Sequence, residues 1–388
     1  MNKETIIGII GSGAMGSGIA QVAATAGHQV ILFDVDLNLL AESENKFKTN
    51  LEKLVDKGKI TFETAREIIG RISLGDSFAS ISKCGLIIEA IVEKLDVKQA
   101  VFAGLEKNTS ADCIIASNTS SLSITSIASS CKIPSRIIGI HFFNPATLMP
   151  LVEIIPGLET DPKILLETKS LIDSWGKTTV VAKDSPGFIV NRVARSFYGE
   201  SIRIYEEGIA DFATIDWAMK NFGGFKMGPF ELMDFIGNDV NYLVTDTVWH
   251  QFFYEPRFKP SLTQKRLYEA KHFGRKSGKG FYDYSEGAIL PEPTKDETLG
   301  IKIFYRVLAM LINEAADSLY LKLATREDID TAMMKGVNYP KGLLKWADEI
   351  GVSVVYEKLE KLFDKYGEDR YRPCVLLKKM ALEGKSFY

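Results

Sequence analysis

Apolar and polar positions in the first 34 residues follow the order of a strand, a turn, a helix and a second strand. Residues 6–10 are an apolar run that predicts a buried strand, and residues 30–33 are a second such run. An Ala-rich stretch at 17–24 predicts the helix between them. The motif at 11–16 reads Gly-Ser-Gly-Ala-Met-Gly and joins the first strand to the helix. A GxGxxG motif in this position predicts a βαβ unit that binds a dinucleotide.

The three glycines of this motif have separate tasks. Gly11 allows a tight turn, Gly13 lets the backbone approach a pyrophosphate, and Gly16 lets the helix pack close to the strand. The N-terminus of the helix presents N–H groups and a positive dipole end to the phosphates.

Asp34 follows the second apolar run, where its carboxylate can accept hydrogen bonds from both hydroxyls of a ribose. The same negative charge repels a 2′-phosphate, so the sequence predicts NAD rather than NADP. FAD is a subordinate alternative for the same fingerprint, because no second flavin-type signature is evident.

The pattern up to residue 184 alternates predicted helices and buried strands. Residues 37–74 have apolar positions at helical spacing and a lysine-rich face, which is either a solvated surface or a contact for an anionic ligand. Further strands and helices are expected at 86–93, 95–108, 113–117, 136–141, 151–155, 162–175 and 178–182. From residue 189 the spacing is helical almost to the end. The predicted fold class is an α/β Rossmann-type doubly wound sheet followed by an all-α region.

The helical region contains an internal repeat. Residues 192–240 and 306–354 match without gaps at an offset of 114 positions. The identical pairs include Arg192 with Arg306, Glu200 with Glu314, Gly228 with Gly342 and Asp234 with Asp348. This offset is too long for a solenoid period and indicates a domain duplication. The predicted domains are an NAD-binding domain at 1–184, a helical domain at 185–284 and a second helical copy at 297–388, joined by a Pro-containing linker.

Composition narrows the class of protein. Of the 388 residues, 46% are hydrophobic and 25% are charged, and the net charge is −3, as in an ordinary soluble protein. No domain-scale basic field points to nucleic acid, and no apolar run reaches the ~18 residues of a membrane span. The cysteines at 84, 113, 131 and 374 form no CxxC pair, so neither a metal site nor a disulfide framework is predicted. A cytoplasmic location is expected.

Several polar residues follow predicted strands at the edge where a doubly wound sheet binds its ligand. Glu93 and the nearby Lys98 are candidates for cofactor contact. Residues 118–123 form a hydroxyl-rich loop, with more hydroxyls than the capping of one helix needs. This density favours a functional site.

His141 ends a buried strand, and Glu153 lies within the apolar strand that follows. An unpaired carboxylate in such a strand costs several kcal/mol, so Glu153 needs a partner. An antiparallel neighbour that carries His141 would supply one. A His–Glu pair can act as a general base, because the carboxylate orients the imidazole and stabilises its protonated form. The alternative is a structural Glu with an unrelated His.

Taken together, these motifs resemble the L-3-hydroxyacyl-CoA dehydrogenase family, including 3-hydroxybutyryl-CoA dehydrogenase. The resemblance covers about 1–284, and residues 297–388 resemble the extra C-terminal copy of longer members. The matching stretches lie at 11–20, 89–93, 117–122, 141–145, 151–155, 184–192, 227–232 and 274–282.

The resemblance implies specific roles. His141 is the general base, Glu153 orients it, Ser120 hydrogen-bonds the reacting oxygen, and Asn191 completes the site from the helical side. Lys57 matches a family contact to CoA, whereas Asn50 replaces a Ser that some members have. The residues implied to contact NAD are Gly11, Gly13, Ala14, Met15, Gly16, Asp34, Glu93, Lys98, Asn118, Asn144 and Lys276.

The implied activity is NAD-dependent oxidation of (S)-3-hydroxyacyl-CoA to 3-ketoacyl-CoA and the reverse, in β-oxidation or short-chain acyl-CoA metabolism, with no metal. One alternative is a related hydroxyacid or sugar-acid dehydrogenase that uses no CoA. Another is a catalytically idle NAD-binding protein on the same fold.

The second helical copy has Tyr305 at the counterpart of Asn191, so we expect it to be non-catalytic. The resemblance implies that short members of the family dimerise through their single helical domain. We expect residues 297–388 to pack on 185–284 as an internal pseudo-dimer, in place of the family dimer through the first copy. This expectation leaves open whether the chain forms oligomers through other surfaces.

Overall fold

A computed structural model describes all 388 residues of the chain. The chain forms two compact units, unit 1 at Met1–Ser185 and unit 2 at Pro186–Tyr388. Unit 1 contains all the strands of the sheet, whereas unit 2 is helical. None of the helices combines the length and the apolar character needed to cross a bilayer.

Unit 1 is built on one eight-stranded sheet with the order β3-β2-β1-β4-β5-β6-β7-β8. All neighbouring strands are parallel except β6 and β7, which are antiparallel. The strands are β1 Ile7–Ile10, β2 Val30–Phe33, β3 Ile72–Gly75, β4 Leu86–Glu89, β5 Ile114–Ser117, β6 Ile137–Phe142, β7 Leu151–Pro156 and β8 Thr178–Val181. The strand order reverses between β1 and β4, where a doubly wound sheet opens its ligand crevice.

The helices of unit 1 cover the sheet. They are α1 Ala14–Thr25, α2 Leu37–Asp56, α3 Phe62–Gly70, α4 Leu95–Asn108, α5 Ile124–Ala128 and α6 Pro162–Ser174. The central strands are buried on both faces, which explains their unbroken apolar runs in the sequence. Their side chains form one core with the inner faces of α1, α2 and α6. The predicted Rossmann-type sheet is confirmed.

Two features differ from the sequence pattern. Residues 72–75, which the helical spacing of 37–74 concealed, form the edge strand β3 beside β2. The strand expected at 86–93 ends at Glu89. The short edge strand β3 carries Ser73 and Leu74 exposed, so it lacks the buried pattern by which the other strands were identified.

Unit 2 is helical, as predicted. Its helices are α7 Val190–Val193, α8 Arg195–Glu206, α9 Phe212–Gly223, α10 Pro229–Ile236, α11 Asn238–Gln251, α12 Leu262–Glu269, α13 Glu297–Tyr320, α14 Arg326–Gly336, α15 Leu343–Ile350, α16 Val352–Tyr366 and α17 Val375–Glu383. The 24-residue α13 is the longest, and it packs against α8 and α9 as well as against α15, α16 and α17. Its buried face therefore joins the earlier and the later helices of this unit.

Candidate active site

The glycine motif forms the turn between β1 and α1. Gly11 has φ +101°, and a Cβ there would lie 2.7 Å from the Ala90 carbonyl oxygen. A Cβ on Gly16 would lie 1.8 Å from the Gly11 carbonyl oxygen, so the helix could not approach the turn with any side chain at that position. Both glycines are therefore required by the backbone path itself.

The start of α1 fits the pyrophosphate of a dinucleotide. Apart from Gly13 and its two chain neighbours, no atom lies within 4 Å of the position that a Cβ on Gly13 would take. The helix begins at Ala14, followed by Met15, with no side-chain cap on Gly13 and no acidic residue in its first turn. The N–H groups of this turn thus keep their capacity to hold phosphate oxygens.

Asp34 is tied to the glycine turn. Its Oδ2 accepts hydrogen bonds from the backbone N–H of Ser12 at 2.6 Å and from Ser12 Oγ at 3.0 Å. Its Oδ1 accepts a bond from the backbone N–H of Asp36 at 3.0 Å. These bonds fix the carboxylate beside the turn, at the end of β2 where a ribose is held in dinucleotide folds.

Glu93 organises the hydroxyl-rich loop that follows β5. Its Oε1 accepts hydrogen bonds from Thr119 Oγ1 at 2.6 Å and from the N–H of Ser120 at 2.9 Å, with Ser120 Oγ at 3.4 Å. Lys98 Nζ lies 3.3 Å from Oε2. Burial opposes ionisation of Glu93, but the Lys98 charge and the hydroxyl and amide donors outweigh it, so the pKa of this carboxyl lies below its usual value.

Lys98 lies on α4, and its side chain is buried, with only 1% of the residue exposed. Its ammonium makes a 2.6 Å bond to Glu89, whose other oxygen accepts a 2.7 Å bond from Ser117 Oγ. Lys98 therefore bridges the two carboxylates Glu89 and Glu93. The contact with the cofactor that the sequence predicts for Lys98 stays a prediction.

His141 and Glu153 are directly opposite each other in the antiparallel pair β6–β7. Nδ1 of the imidazole lies 2.7 Å from Glu153 Oε2. Glu153 is fully buried and His141 is 5% exposed. The contact between these two side chains that the sequence predicts is therefore present. The Glu153 carboxylate holds the imidazole ring in one orientation.

Asn118 and Asn144 occupy neighbouring parts of the same sheet end. Asn118 Oδ1 accepts a 2.8 Å bond from the N–H of Phe142, and the Asn118 N–H donates to the Glu89 carbonyl at 2.7 Å. Asn118 thus links the ends of β4, β5 and β6. Asn144 is exposed after β6 and precedes Pro145 in a cis peptide bond.

Lys57 and Asn50 lie on the outer part of unit 1. Asn50 is exposed on α2, and Lys57 is the exposed residue that ends this helix. Two other lysines of the same face, Lys46 and Lys48, pair with Glu42 and Glu44 one turn earlier. The solvated-surface interpretation therefore applies to these two, whereas Lys57 makes no ion pair.

The remaining predicted site residues belong to unit 2. Asn191 lies half-buried on α7, and its carbonyl oxygen accepts a 2.9 Å bond from Arg195 Nε. Lys276 lies in a short 3-10 helix, where its ammonium is 2.6 Å from Asp239 Oδ1. The roles that the resemblance gives to both residues stay predictions.

Sequence reasoning did not single out Glu89, Ser117 or Asp184. Asp184 accepts hydrogen bonds from the N–H groups of Ile124 and Thr125, at 2.9 and 2.7 Å, and so caps α5 from a distant part of the chain. Glu89 was open to the argument used for Glu153, because it is also a carboxylate inside an apolar strand. No local signal marks Asp184, because its partners lie about 60 residues away.

Two models of one protein family match the chain. Residues 6–185 match the family model of the 3-hydroxyacyl-CoA dehydrogenase NAD binding domain, and residues 187–284 and 303–386 match its C-terminal domain.

Similar proteins match over most of the chain. A 3-hydroxyadipyl-CoA dehydrogenase of Escherichia coli (strain K12) is 37% identical over 98% of both chains. A mitochondrial hydroxyacyl-coenzyme A dehydrogenase of Sus scrofa is 41% identical over 71% of this chain and 90% of that protein. The crystal structure of a 3-hydroxybutyryl-CoA dehydrogenase of E. coli K12 superposes with a TM-score of 0.93 at 36% identity, over 99% of each chain. The chain therefore belongs to the 3-hydroxyacyl-CoA dehydrogenase family of NAD-dependent oxidoreductases.

Proposed function

We propose that His141, oriented by Glu153, is the general base with which this dehydrogenase converts (S)-3-hydroxyacyl-CoA to 3-ketoacyl-CoA. The observation that carries the proposal is the 2.7 Å bond between the imidazole and a fully buried carboxylate. A buried carboxylate stabilises the imidazolium that forms when the ring takes a proton. The pair therefore has the chemistry that removal of the 3-hydroxyl proton requires.

The proposal gives each polar group of the site a role in the reaction. Because Nδ1 faces Glu153, Nε2 is the ring nitrogen that takes the proton from the substrate hydroxyl. When NAD is bound, its nicotinamide supplies the acceptor for the hydride that leaves C3. Ser120 donates a hydrogen bond to the reacting oxygen and stabilises charge that develops there. Its backbone is held by Glu93, which Lys98 holds in turn.

A panel of 3-ketoacyl substrates tests this function. We expect NADH oxidation with acetoacetyl-CoA and none with free acetoacetate, because the family recognises the CoA group. Equal rates with both substrates would favour the alternative, a hydroxyacid dehydrogenase that uses no CoA. Tight NADH binding without turnover of any 3-ketoacyl-CoA, across a series of rising chain length, would favour a catalytically idle protein. The same series gives the chain-length preference.

Asp34 supports a preference for NAD over NADP. Its carboxylate is fixed beside the phosphate-binding turn by two bonds from Ser12. A 2′-phosphate at this position would meet that negative charge. We expect kcat/KM for NADPH to fall well below that for NADH, and comparable values would contradict the role of Asp34.

We further infer that residues 297–388 are a non-catalytic copy of the helical domain at 185–284 and pack on it as an internal pseudo-dimer. Two ion pairs support the inference. Arg192 Nε lies 2.5 Å from Glu314 Oε1, and Arg306 Nε lies 2.6 Å from Glu200 Oε1. The offset of 114 relates Arg192 to Arg306 and Glu200 to Glu314, so each copy gives its arginine to the other copy's glutamate. This reciprocity is the signature of a two-fold interface.

Equivalent caps inside each copy also support the duplication. Asp216 accepts hydrogen bonds from the N–H groups of Phe230 and Glu231, each at 2.9 Å. Its counterpart Asp330 accepts bonds from the equivalent N–H groups of Leu344 and Lys345, at 2.8 and 3.0 Å.

A second pair of carboxylates extends this correspondence. Asp234 accepts bonds from the N–H groups of Phe281 and Tyr282. Its counterpart Asp348 accepts bonds from those of Phe387 and Tyr388. The equivalence thus reaches beyond the ungapped repeat, with a shorter segment in the second copy.

Charge reversal tests the pseudo-dimer. Arg192→Glu and Glu314→Arg each place two like charges in a buried site, so each variant is expected to unfold at lower denaturant concentration. The double variant should recover much of the loss. No recovery would contradict a direct interaction across this interface. Light scattering should show no dimer through the first copy, and cross-links between the first copies of two chains would overturn that part of the proposal.

A further inference from the structure

A groove on unit 2 combines an apolar floor with a basic rim. Its volume is about 350 Å³, within the range of ligand pockets. The groove runs between the end of α8, the first half of α13 and the second half of α16. We call it the lysine groove. Its rim is Lys302, Lys358, Lys361 and Lys365, and its floor is Ile204, Ile209, Leu299, Ile303 and Leu362.

The charge of this groove is of one sign. No acidic side chain lines it, although the whole chain has a net charge of −3. The one arginine at the groove, Arg306, is neutralised by Glu200 and Glu207. Lys361 has one exposed carboxylate at 3.9 Å, a distance at which little energy is gained.

Two of the lysines are held over aromatic rings of the groove. Lys358 Nζ lies 4.6 Å from the centre of the Tyr305 ring, and Lys365 Nζ lies 4.8 Å from that of Tyr366. Neither of these two lysines has a carboxylate partner, and Lys302 has none either. The ammonium groups of Lys358 and Lys365 are thus positioned by cation–π contacts while their charge stays uncompensated.

The basic rim has no equivalent in the first helical copy. The offset of 114 superimposes α11 on α16, and there Lys358, Lys361 and Lys365 correspond to Val244, Thr247 and Gln251. Packing of the helices therefore does not demand lysine at these positions. The rim is a property of the second copy alone, on the face where Tyr305 replaces Asn191.

We propose that the lysine groove is a second binding site for acyl-CoA. Ammonium groups bind phosphate as point charges. The positive charge of the four lysines therefore complements the negative charge of the CoA phosphates. The isoleucine and leucine floor matches an acyl chain, whose burial is favourable. The groove consists only of residues of unit 2 and includes none of the residues assigned to proton transfer. It therefore binds ligand without turning it over.

Photolabelling with an octanoyl-CoA that carries a diazirine at the end of its chain tests this site on the full-length protein. We expect labelled peptides that contain Leu299 or Leu362 in the wild type. Labelling should fall at least tenfold in the triple variant Lys302→Gln, Lys358→Gln, Lys365→Gln. A control with the same charge change at exposed positions, Lys163→Gln, Lys265→Gln, Lys295→Gln, should label as the wild type does.

Competition and turnover complete the test. An excess of unlabelled octanoyl-CoA should abolish labelling, and CoA alone should compete more weakly because it lacks the chain. Competition by octanoate as strong as by octanoyl-CoA would overturn the assignment in favour of a fatty-acid site. Undiminished labelling in the triple variant, or no labelled groove peptide, would overturn the site. Dehydrogenase turnover is measured on the same samples and is expected to be unchanged, so failure of this proposal is distinguishable from failure of the proposed function.

Discussion

Both units contain buried pairs of a basic and an acidic side chain, but the pairs differ in what they can do. In unit 1, His141 faces Glu153 across two strands. In unit 2, Arg192 faces Glu314 and Arg306 faces Glu200 between helices. An imidazole gains and loses a proton near neutral pH, whereas a guanidinium stays charged. The first pair is suited to catalysis and the second to holding the fold together.

The environment of the two kinds of pair agrees with this difference. His141 and Glu153 lie at the end of the sheet where the strands meet the ligand crevice. The arginine pairs lie against α13, among side chains with no exposure such as Val307 and Leu311. Loss of the His141–Glu153 pair should therefore reduce turnover, whereas loss of an arginine pair should reduce the stability of the protein.

The largest expected effect is on turnover. His141→Gln should lower kcat by about 10²- to 10⁴-fold, the range for loss of a general base. The affinity for NADH and the denaturant midpoint should change little, because Gln still fills the site. Stopped-flow turnover and NADH fluorescence titration measure the two quantities. Turnover near that of the wild type would remove His141 from its assigned role.

The arginine pairs should give the opposite result. Glu314→Gln leaves Arg192 buried with less compensating charge, and we expect a loss of about 3 kcal/mol in the free energy of unfolding. Glu200→Gln should cost a similar amount if the copies are related by a pseudo-two-fold axis. Urea denaturation measures both variants, and kcat of the folded fraction should stay near that of the wild type. A loss confined to one of the two variants would break the proposed symmetry.

Glu153→Gln sharpens the comparison within unit 1. The amide can still contact the imidazole but cannot stabilise the imidazolium, so kcat should fall by about 10- to 100-fold. The pH–rate profile should also move, which a merely structural Glu would not cause. An unaltered profile with normal kcat would assign Glu153 a structural role alone.

The smallest expected effect concerns Glu93, the partly exposed carboxylate of the crevice. Its pKa is lowered in the folded protein, because the Lys98 charge and its hydrogen bonds outweigh the effect of burial. The folded state therefore binds fewer protons than the unfolded state as pH falls, and the stabilisation by Glu93 is lost as pH drops below the ordinary carboxyl range. Glu93→Gln should flatten this part of the curve of stability against pH. Unfolding measured at a series of pH values from 7 down to 3 gives the difference, and parallel curves for the variant and the wild type would contradict it.

Much of the site followed from residues close together in sequence. The glycine turn, Asp34 and the hydroxyl loop are recognisable because each adjoins a strand whose apolar run marks it. The pairing of His141 with Glu153 also followed, since an apolar strand with one carboxylate demands a partner. By contrast, the edge strand β3 and the bridge from Lys98 to Glu89 were not anticipated. An exposed edge strand lacks the run of apolar residues that marks a buried strand. The carboxylate that Lys98 meets depends on the direction in which its side chain leaves α4.

The sequence alone determined the order of the buried strands and their helices, the dinucleotide fingerprint, the change from α/β to helical periodicity and the matched arginines and glutamates of the repeat. Periodicity and local turn chemistry fix these features because they act between near neighbours. Only the tertiary structure decided that each arginine meets the other copy's glutamate, that Phe387 and Tyr388 close on Asp348, and that four lysines of α13 and α16 share one groove. These contacts depend on how distant segments pack, and a pattern along the chain does not encode the direction in which a buried side chain finds its partner.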